Sequence, residues 1–167
     1  CRNPFKLKRD LYFEIQKKLM ENCKKFYLIH GDCTFSNIIL GKDKKLTLID
    51  PQGCFGQTDY FGDINYDWAK LYMSIVGNWD QFVLGNFTLY YSKDKIEVKV
   101  KSGGWEDLEE YYLDKIKVEN RAAIKFIHAL IWLSSTMYRW DDYDFVCGAF
   151  YLGTYYLNQV LDECDAK

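Results

Sequence analysis

One stretch of the sequence decides the fold, and it reads Leu28-Ile29-His30-Gly31-Asp32-Cys33-Thr34-Phe35-Ser36-Asn37-Ile38-Ile39-Leu40. Two apolar runs of strand length bound it, and the polar segment between them contains Asp32 and Asn37. A third apolar run, Leu46-Thr47-Leu48-Ile49, follows a polar turn and ends at Asp50. Apolar runs joined by a short polar turn predict a β-hairpin. Asp32, Asn37 and Asp50 are therefore expected on loops at strand ends, where a rigid scaffold can hold side chains in a cleft.

These three side chains suit phosphoryl transfer from ATP. A carboxylate such as Asp32 can orient a hydroxyl group and accept its proton. The amide oxygen of Asn37 and the carboxylate of Asp50 are hard oxygen ligands of the kind that Mg²⁺ binds. Asp and Asn are also common turn residues, so a purely structural role is the alternative for any one of them taken alone.

The stretch 28–40, followed by Leu48-Ile49-Asp50, resembles the H-G-D-x-x-x-x-N and I-D signature of the aminoglycoside phosphotransferase and choline kinase superfamily, whose fold is that of protein kinases. The resemblance spans about residues 11–161 and corresponds to the C-terminal lobe of that fold. It implies that Asp32 is the catalytic base, that Asn37 and Asp50 are the Mg²⁺ ligands, and that ATP is the phosphoryl donor. It places His30 in the catalytic loop as a structural member.

A second segment, 62–71, resembles the G-D-x-x-x-D-x-A-x-L helix start that follows in the same superfamily. There Asp67 would cap the helix and hold the catalytic loop, which is a supporting role. The amino-acid sequence of 50–56, 62–63 and 69–71 resembles that of bacterial phosphotransferases associated with capsule and lipopolysaccharide synthesis.

The chain also departs from the superfamily. No glycine-rich phosphate loop and no strand lysine precede Leu28, so the N-terminal lobe that covers ATP is expected to be missing and to belong to the full-length protein. The isolated chain is then expected to have little or no activity. No peptide-docking segment follows Asp50, which favours a small-molecule hydroxyl acceptor.

Two loops offer candidate acceptor contacts. Gln57 and Asp59 lie in the loop 53–60, which is either part of an acceptor pocket or a solvated loop. Asp141 and Asp142 lie in the segment 140–144, where carboxylates beside aromatic rings can hold a cation. The favoured alternative for that segment is an acidic loop between helices, with Asp144 as the N-cap of the last helix.

The remaining patterns predict an α+β fold that is mainly helical, with a single domain over 1–167, small hairpins and a helical bundle. Neither helix nor strand is expected in 51–62.

Three residues are interpreted as packing residues: Cys33 and Cys54, which flank the proposed site, and His128. The aromatic side chains at helical spacings are expected in the core: Tyr111, Tyr112, Phe126, Trp132, Tyr155 and Tyr156. The predicted elements are a helix over 11–23, a helix over 65–76, a hairpin over 87–100, and helices over 106–117, 119–139 and 145–161, with the second of these three at the centre of the packing.

Composition excludes several classes of protein. The 22 Lys and Arg residues against 24 Asp and Glu residues give a net charge of -2, which argues against a nucleic-acid binder. The six cysteines form no Cys-x-x-Cys pair, so reduced thiols in a cytoplasmic protein are expected. No apolar stretch approaches the ~20 residues that a membrane span needs.

The leading hypothesis is an ATP-dependent phosphotransferase with a small-molecule hydroxyl acceptor: a sugar, an amino alcohol or a surface-polysaccharide precursor. One alternative is a non-catalytic, kinase-like binding module for a glycan precursor or a partner protein. A Mg²⁺-dependent phosphoester hydrolase that uses Asp32 and Asp50 ranks last, because the sequence has no nucleophile motif for that chemistry.

Overall fold

The computed structural model describes residues 13, 16, 17, 21, 23 and 25–165 of the chain. The helix predicted over 11–23 lies mostly outside these residues. The fold is α+β, with about 51% helix and small antiparallel sheets, as the sequence predicted. Within the described ranges, no helix is both long and apolar enough to cross a membrane.

The strands pair as three two-stranded antiparallel sheets in the described part of the chain. They are β1 Tyr27–Leu28, β2 Ile38–Leu40, β3 Leu46–Leu48, β4 Phe61–Gly62, β5 Phe87–Tyr91 and β6 Ile96–Val100. The predicted hairpins β2–β3 and β5–β6 are confirmed. Strand β4 was not predicted, because its two residues form a strand only by pairing with the distant β1.

The helices are α1 Ile64–Ile75, α2 Trp79–Val83, α3 Glu109–Asp114, α4 Val118–Ser134 and α5 Tyr143–Asp165, with short 3₁₀ turns at Phe35–Asn37, Glu106–Leu108 and Ser135–Met137. Helix α1 matches its prediction to within one residue at each end. Helices α3 and α4 are shorter than predicted, because a 3₁₀ turn precedes the first and another follows the second. Asp142, and not Asp144, caps α5, since its Oδ1 accepts a hydrogen bond from the Phe145 amide at 3.0 Å.

Helix α4 lies at the centre of the packing, as predicted, with α1 on one side and α5 on the other. Its fully buried residues Ile124 and Trp132 contact the core that α1 and α5 share. Aromatic rings fill much of this core, and Phe82 packs against both Trp132 and Phe145. Two predicted core residues are wrong, because Tyr111 and Tyr155 are exposed on the outer faces of their helices.

His128 is a buried core residue, as predicted. The Trp132 indole N–H donates a hydrogen bond to His128 Nε2 at 2.9 Å, which fixes the neutral ring in the tautomer with its proton on Nδ1. Burial lowers the pKa of His128 to about 3, because a charged imidazolium loses its hydration in the core.

This burial predicts a pH dependence of stability. An unfolded histidine takes up a proton near pH 6.5, whereas folded His128 does so only near pH 3. The unfolded state therefore binds one more proton between these values, and the free energy of unfolding falls as the pH drops through that window. Urea unfolding of His128→Gln, which keeps an acceptor for Trp132, should show about 2 kcal/mol less loss between pH 7.5 and pH 5 than the unchanged protein. Equal losses in the two proteins would contradict the assignment.

Candidate functional site

The predicted catalytic loop, 29–37, runs between β1 and β2 across one face of α1. Ile29 anchors its start, since the side chain is buried and the amide donates a hydrogen bond to the Tyr60 carbonyl at 2.9 Å. Gly31 takes a φ of +79°, and a Cβ on it would lie 2.9 Å from Cβ of Gln52. Both the backbone conformation and the close approach therefore require glycine at this position.

Asp67 of α1 binds the backbone of this loop. Its Oδ2 accepts a hydrogen bond from the His30 amide at 2.7 Å, and its Oδ1 accepts one from the Gly31 amide at 2.7 Å. Both oxygens of one carboxylate thus bind consecutive backbone N–H groups, 36 and 37 residues away in sequence.

The prediction that Asp67 also caps α1 is wrong. Asp63 is the N-cap, and its Oδ1 accepts a hydrogen bond from the Asn65 amide at 3.0 Å. A cap must have extended backbone just before the first helical residue, and Asp63 has that position and conformation. Asp67 lies one turn inside the helix, so its side chain is free to reach outward to the loop.

His30 connects the loop 29–37 to the segment that carries Asp50. Its Nε2 lies 2.9 Å from the Ile49 carbonyl, and its Nδ1 accepts a hydrogen bond from the Asp32 amide at 3.3 Å. Because a carbonyl only accepts, the proton is on Nε2. Both ring nitrogens are engaged with the backbone, an arrangement that suits a structural member of the loop.

Asp32 and Asn37 are in direct contact. Asn37 Nδ2 donates hydrogen bonds to the Asp32 carbonyl at 2.8 Å and to Asp32 Oδ2 at 3.0 Å. The other carboxylate oxygen, Oδ1, lies 2.9 Å from the ammonium of Lys70 in α1. Since Nδ2 is occupied on Asp32, the Oδ1 atom of Asn37 is the one left to act as a ligand.

Backbone hydrogen bonds join the segment of Asp50 to the loop that carries this pair. The Ile49 amide before it donates a hydrogen bond to the Asn37 carbonyl at 3.0 Å, and the Gln52 amide after it donates to the His30 carbonyl at 2.8 Å. The Asp50 side chain is exposed, and its backbone takes a left-handed φ of +56°. Aspartate is one of the few residues besides glycine that adopt this conformation readily.

The donor set fits Mg²⁺ in one of its usual forms. No group of three or more His, Cys, Asp and Glu side chains able to hold a metal occurs among residues 25–165 and the few described before them. Mg²⁺ in nucleotide enzymes takes only one or two carboxylates from the protein and completes its shell with phosphates and water. Asn37 and Asp50, with an amide oxygen and an exposed carboxylate, suit that role.

The predicted acceptor residues lie on two separate segments of the chain, 57–59 and 141–142. Gln57 and Asp59 are exposed on a loop that the Thr58 hydroxyl closes by donating to the Phe55 carbonyl at 2.9 Å. Asp142 borders a different groove, along β5, and its carboxylate is occupied as the cap of α5.

Sequence reasoning missed two residues of the site, Tyr66 and Lys70. Burial raises the pKa of Tyr66. The positive charge of Lys70 lowers this pKa, and the negative charge of Asp32 raises it. Tyr66 and Lys70 are four residues apart on α1, and Asp67 precedes Lys70 by three. The signal that could have found them is this helical spacing, which places residues three and four apart on one face.

The two cysteines that flank the site differ. Burial, with the negative charges of Asp67 and Asp32, raises the pKa of Cys33 to about 11. Cys54 is exposed, so its interpretation as a packing residue is wrong. None of the five described cysteines forms a disulfide.

Three comparisons with known proteins were made, and no protein-family model, curated protein or solved structure matches the chain.

The Asp67 contacts predict a large effect of a small substitution. Asp67→Asn replaces one acceptor oxygen with an NH₂ group that faces a backbone N–H, so we expect a loss of about 2 kcal/mol in the free energy of unfolding. Asp63→Asn is the matched control, since it removes the same charge from the same helix end, and asparagine caps as well as aspartate. It should cost less than about 0.5 kcal/mol. Urea unfolding measures both, and equal losses would refute the anchoring role.

The thiol environments predict selective alkylation. At pH 8, iodoacetamide should modify Cys54 at least about 10-fold faster than Cys33, because Cys33 holds its proton more tightly and is partly buried. Peptide mass spectrometry of timed samples measures both rates, and denatured protein serves as the control in which the difference disappears. Similar rates in the folded protein would show that the Cys33 environment is wrongly described.

Proposed function

We propose that this chain carries the catalytic and acceptor-binding site of an ATP-dependent phosphotransferase that acts on a hydroxyl group of a small molecule. The observation that carries the proposal is the joining of two separate segments into one site. His30 and the Ile49 amide link the loop of Asp32 and Asn37 to the turn of Asp50. A carboxylate base and two oxygen ligands are thereby held by rigid backbone.

Asp32 is the base in this reaction. Its side chain is 33% exposed, so an acceptor hydroxyl can reach a carboxylate oxygen. As the acceptor oxygen forms its bond to the γ-phosphorus of ATP, the bond from that phosphorus to the β,γ-bridging oxygen breaks and ADP leaves. The hydroxyl proton passes to Asp32, which later releases it to solvent.

Asn37 and Asp50 are the residues that would hold Mg²⁺. When bound, the ion would neutralise negative charge on the ATP phosphates. His30 and Asp67 would keep these residues in register without touching the substrate. The resemblance to the aminoglycoside phosphotransferase and choline kinase superfamily supports this reading, including its kinase-like fold, and candidate acceptors are sugars, amino alcohols and precursors of capsule or lipopolysaccharide.

A kinase-like binding module without catalysis is the second candidate. Aliphatic side chains on one face of the β2–β3 hairpin favour it, since Leu40, Leu46 and Leu48 are all exposed. Exposed apolar patches of this kind often mark surfaces that bind partners. Calorimetry separates the two, because only the catalytic reading requires uptake of ATP with Mg²⁺ that weakens in Asp50→Asn.

The catalytic proposal predicts the effect of Asp32→Asn in the full-length protein. The substitution keeps the shape of the side chain but removes the proton acceptor, so kcat should fall at least about 100-fold. ATP-dependent phosphorylation of a panel of sugars and amino alcohols is the measurement, with Mg²⁺ present and then removed by chelation. Asp43→Asn, an exposed carboxylate in the hairpin turn, is the matched control and should leave kcat unchanged. Full activity of Asp32→Asn would refute the proposal.

A further inference from the structure

Lys70 is a buried cation directly beside the proposed base. Its side chain is 10% exposed, and its ammonium lies 2.9 Å from Asp32 Oδ1. Within the part of the chain that the structure describes, this is the single ion pair of Lys70. A buried ammonium loses its hydration and needs a nearby negative charge. Lys70 therefore depends on the Asp32 carboxylate as its counter-charge.

The carboxylate of Asp32 is held at both oxygens. Lys70 binds Oδ1 from α1, and Asn37 Nδ2 binds Oδ2 from the catalytic loop itself. Two contacts from two different elements leave the side chain one orientation. The side chain of Asp32 nevertheless remains 33% exposed.

Lys70 also shares its helix face with Asp67. The two are three residues apart, so they project from neighbouring turns of α1 toward the same loop. Asp67 fixes the loop backbone at His30 and Gly31, and Lys70 fixes the side chain of the next residue, Asp32. The adjacent Ala69 is fully buried, which keeps this part of the helix fixed in the core.

We propose that Lys70 is a positioning residue for Asp32, holding the carboxylate in the orientation that receives the acceptor hydroxyl. The proposal rests on the proposed function, in which Asp32 is the base. Lys70 acts through Asp32, so its loss should slow the chemical step without weakening acceptor binding. A misplaced catalytic group alone can cost about 100-fold in rate.

The first measurement does not depend on activity. Urea unfolding of Lys70→Met, Asp32→Asn and the double variant forms a double-mutant cycle. Asp32→Asn leaves the buried ammonium without its counter-charge, and we expect a clear loss of stability. Adding Lys70→Met should recover much of that loss, because the unpaired charge is then gone. Losses that simply add would show that Lys70 does not hold Asp32, and would overturn the proposal.

The second measurement is kinetic and uses the full-length protein. Lys70→Met should lower kcat about 100-fold with the acceptor KM nearly unchanged, and Lys70→Arg should restore part of the rate. The double variant should be no slower than Asp32→Asn alone. Lys125→Met is the matched control, since it removes another partly buried lysine, paired with Glu163 at 2.8 Å, and it should leave kcat unchanged.

The outcomes separate the two proposals. If Lys70→Met has the same kcat as the wild-type protein, Lys70 has only a structural role and this inference is overturned. The proposed phosphotransferase activity would still stand. A wild-type protein without any ATP-dependent transfer would refute the proposed function, and the stability cycle would then decide whether Lys70 holds Asp32.

Discussion

The site depends on one carboxylate that binds two backbone amides. Asp67 accepts hydrogen bonds from His30 and Gly31 at 2.7 Å each, and charged acceptors of backbone N–H groups make the stronger kind of hydrogen bond. These contacts fix the start of the loop on α1. From that point Asp32 reaches Lys70, His30 reaches the Ile49 carbonyl, and Asn37 reaches back to Asp32. Without Asp67, the His30 and Gly31 amides would lose their hydrogen bonds to α1, and the loop would be held only at its other contacts.

Helix α1 transmits the rigidity of the core to this loop. Its inner face, with Ala69 and Met73, is fully buried and packs in the core that includes Ile124 and Trp132 of α4. Its side toward the loop carries Asp67 and Lys70. A close-packed interior resists local displacement, so the two charged side chains reach the loop from fixed points. The aromatic richness of the chain serves this purpose at Phe82, Trp132 and Phe145, whose rings interlock in the core.

Local sequence patterns predicted the elements that depend on residues close together in the chain. The alternation and turn residues of β2–β3 and β5–β6, and the apolar spacing of α1 and α4, suffice to place those elements. Strand β4, the cap of α1 and the partners of Asp32 were missed or misassigned, because each depends on residues that meet only after folding. The resemblance implied that Asp67 holds the loop, but Lys70 lies 38 positions from Asp32, and no spacing near His30 indicates that contact. The order of the motif predicted the candidate residues and the supporting role of Asp67, but it did not reveal the contact of Lys70 with Asp32.

The left-handed backbone at Asp50 bears on how this protein can change by mutation. Of the non-glycine residues, asparagine and aspartate tolerate a φ of +56° best, and glycine adopts it freely. The fold therefore accepts replacements that delete the carboxylate more readily than it accepts glutamate, which keeps the charge but suits that conformation less well. Foldability does not protect the charge at this position. One substitution, to asparagine or glycine, can therefore remove this carboxylate and leave the fold intact.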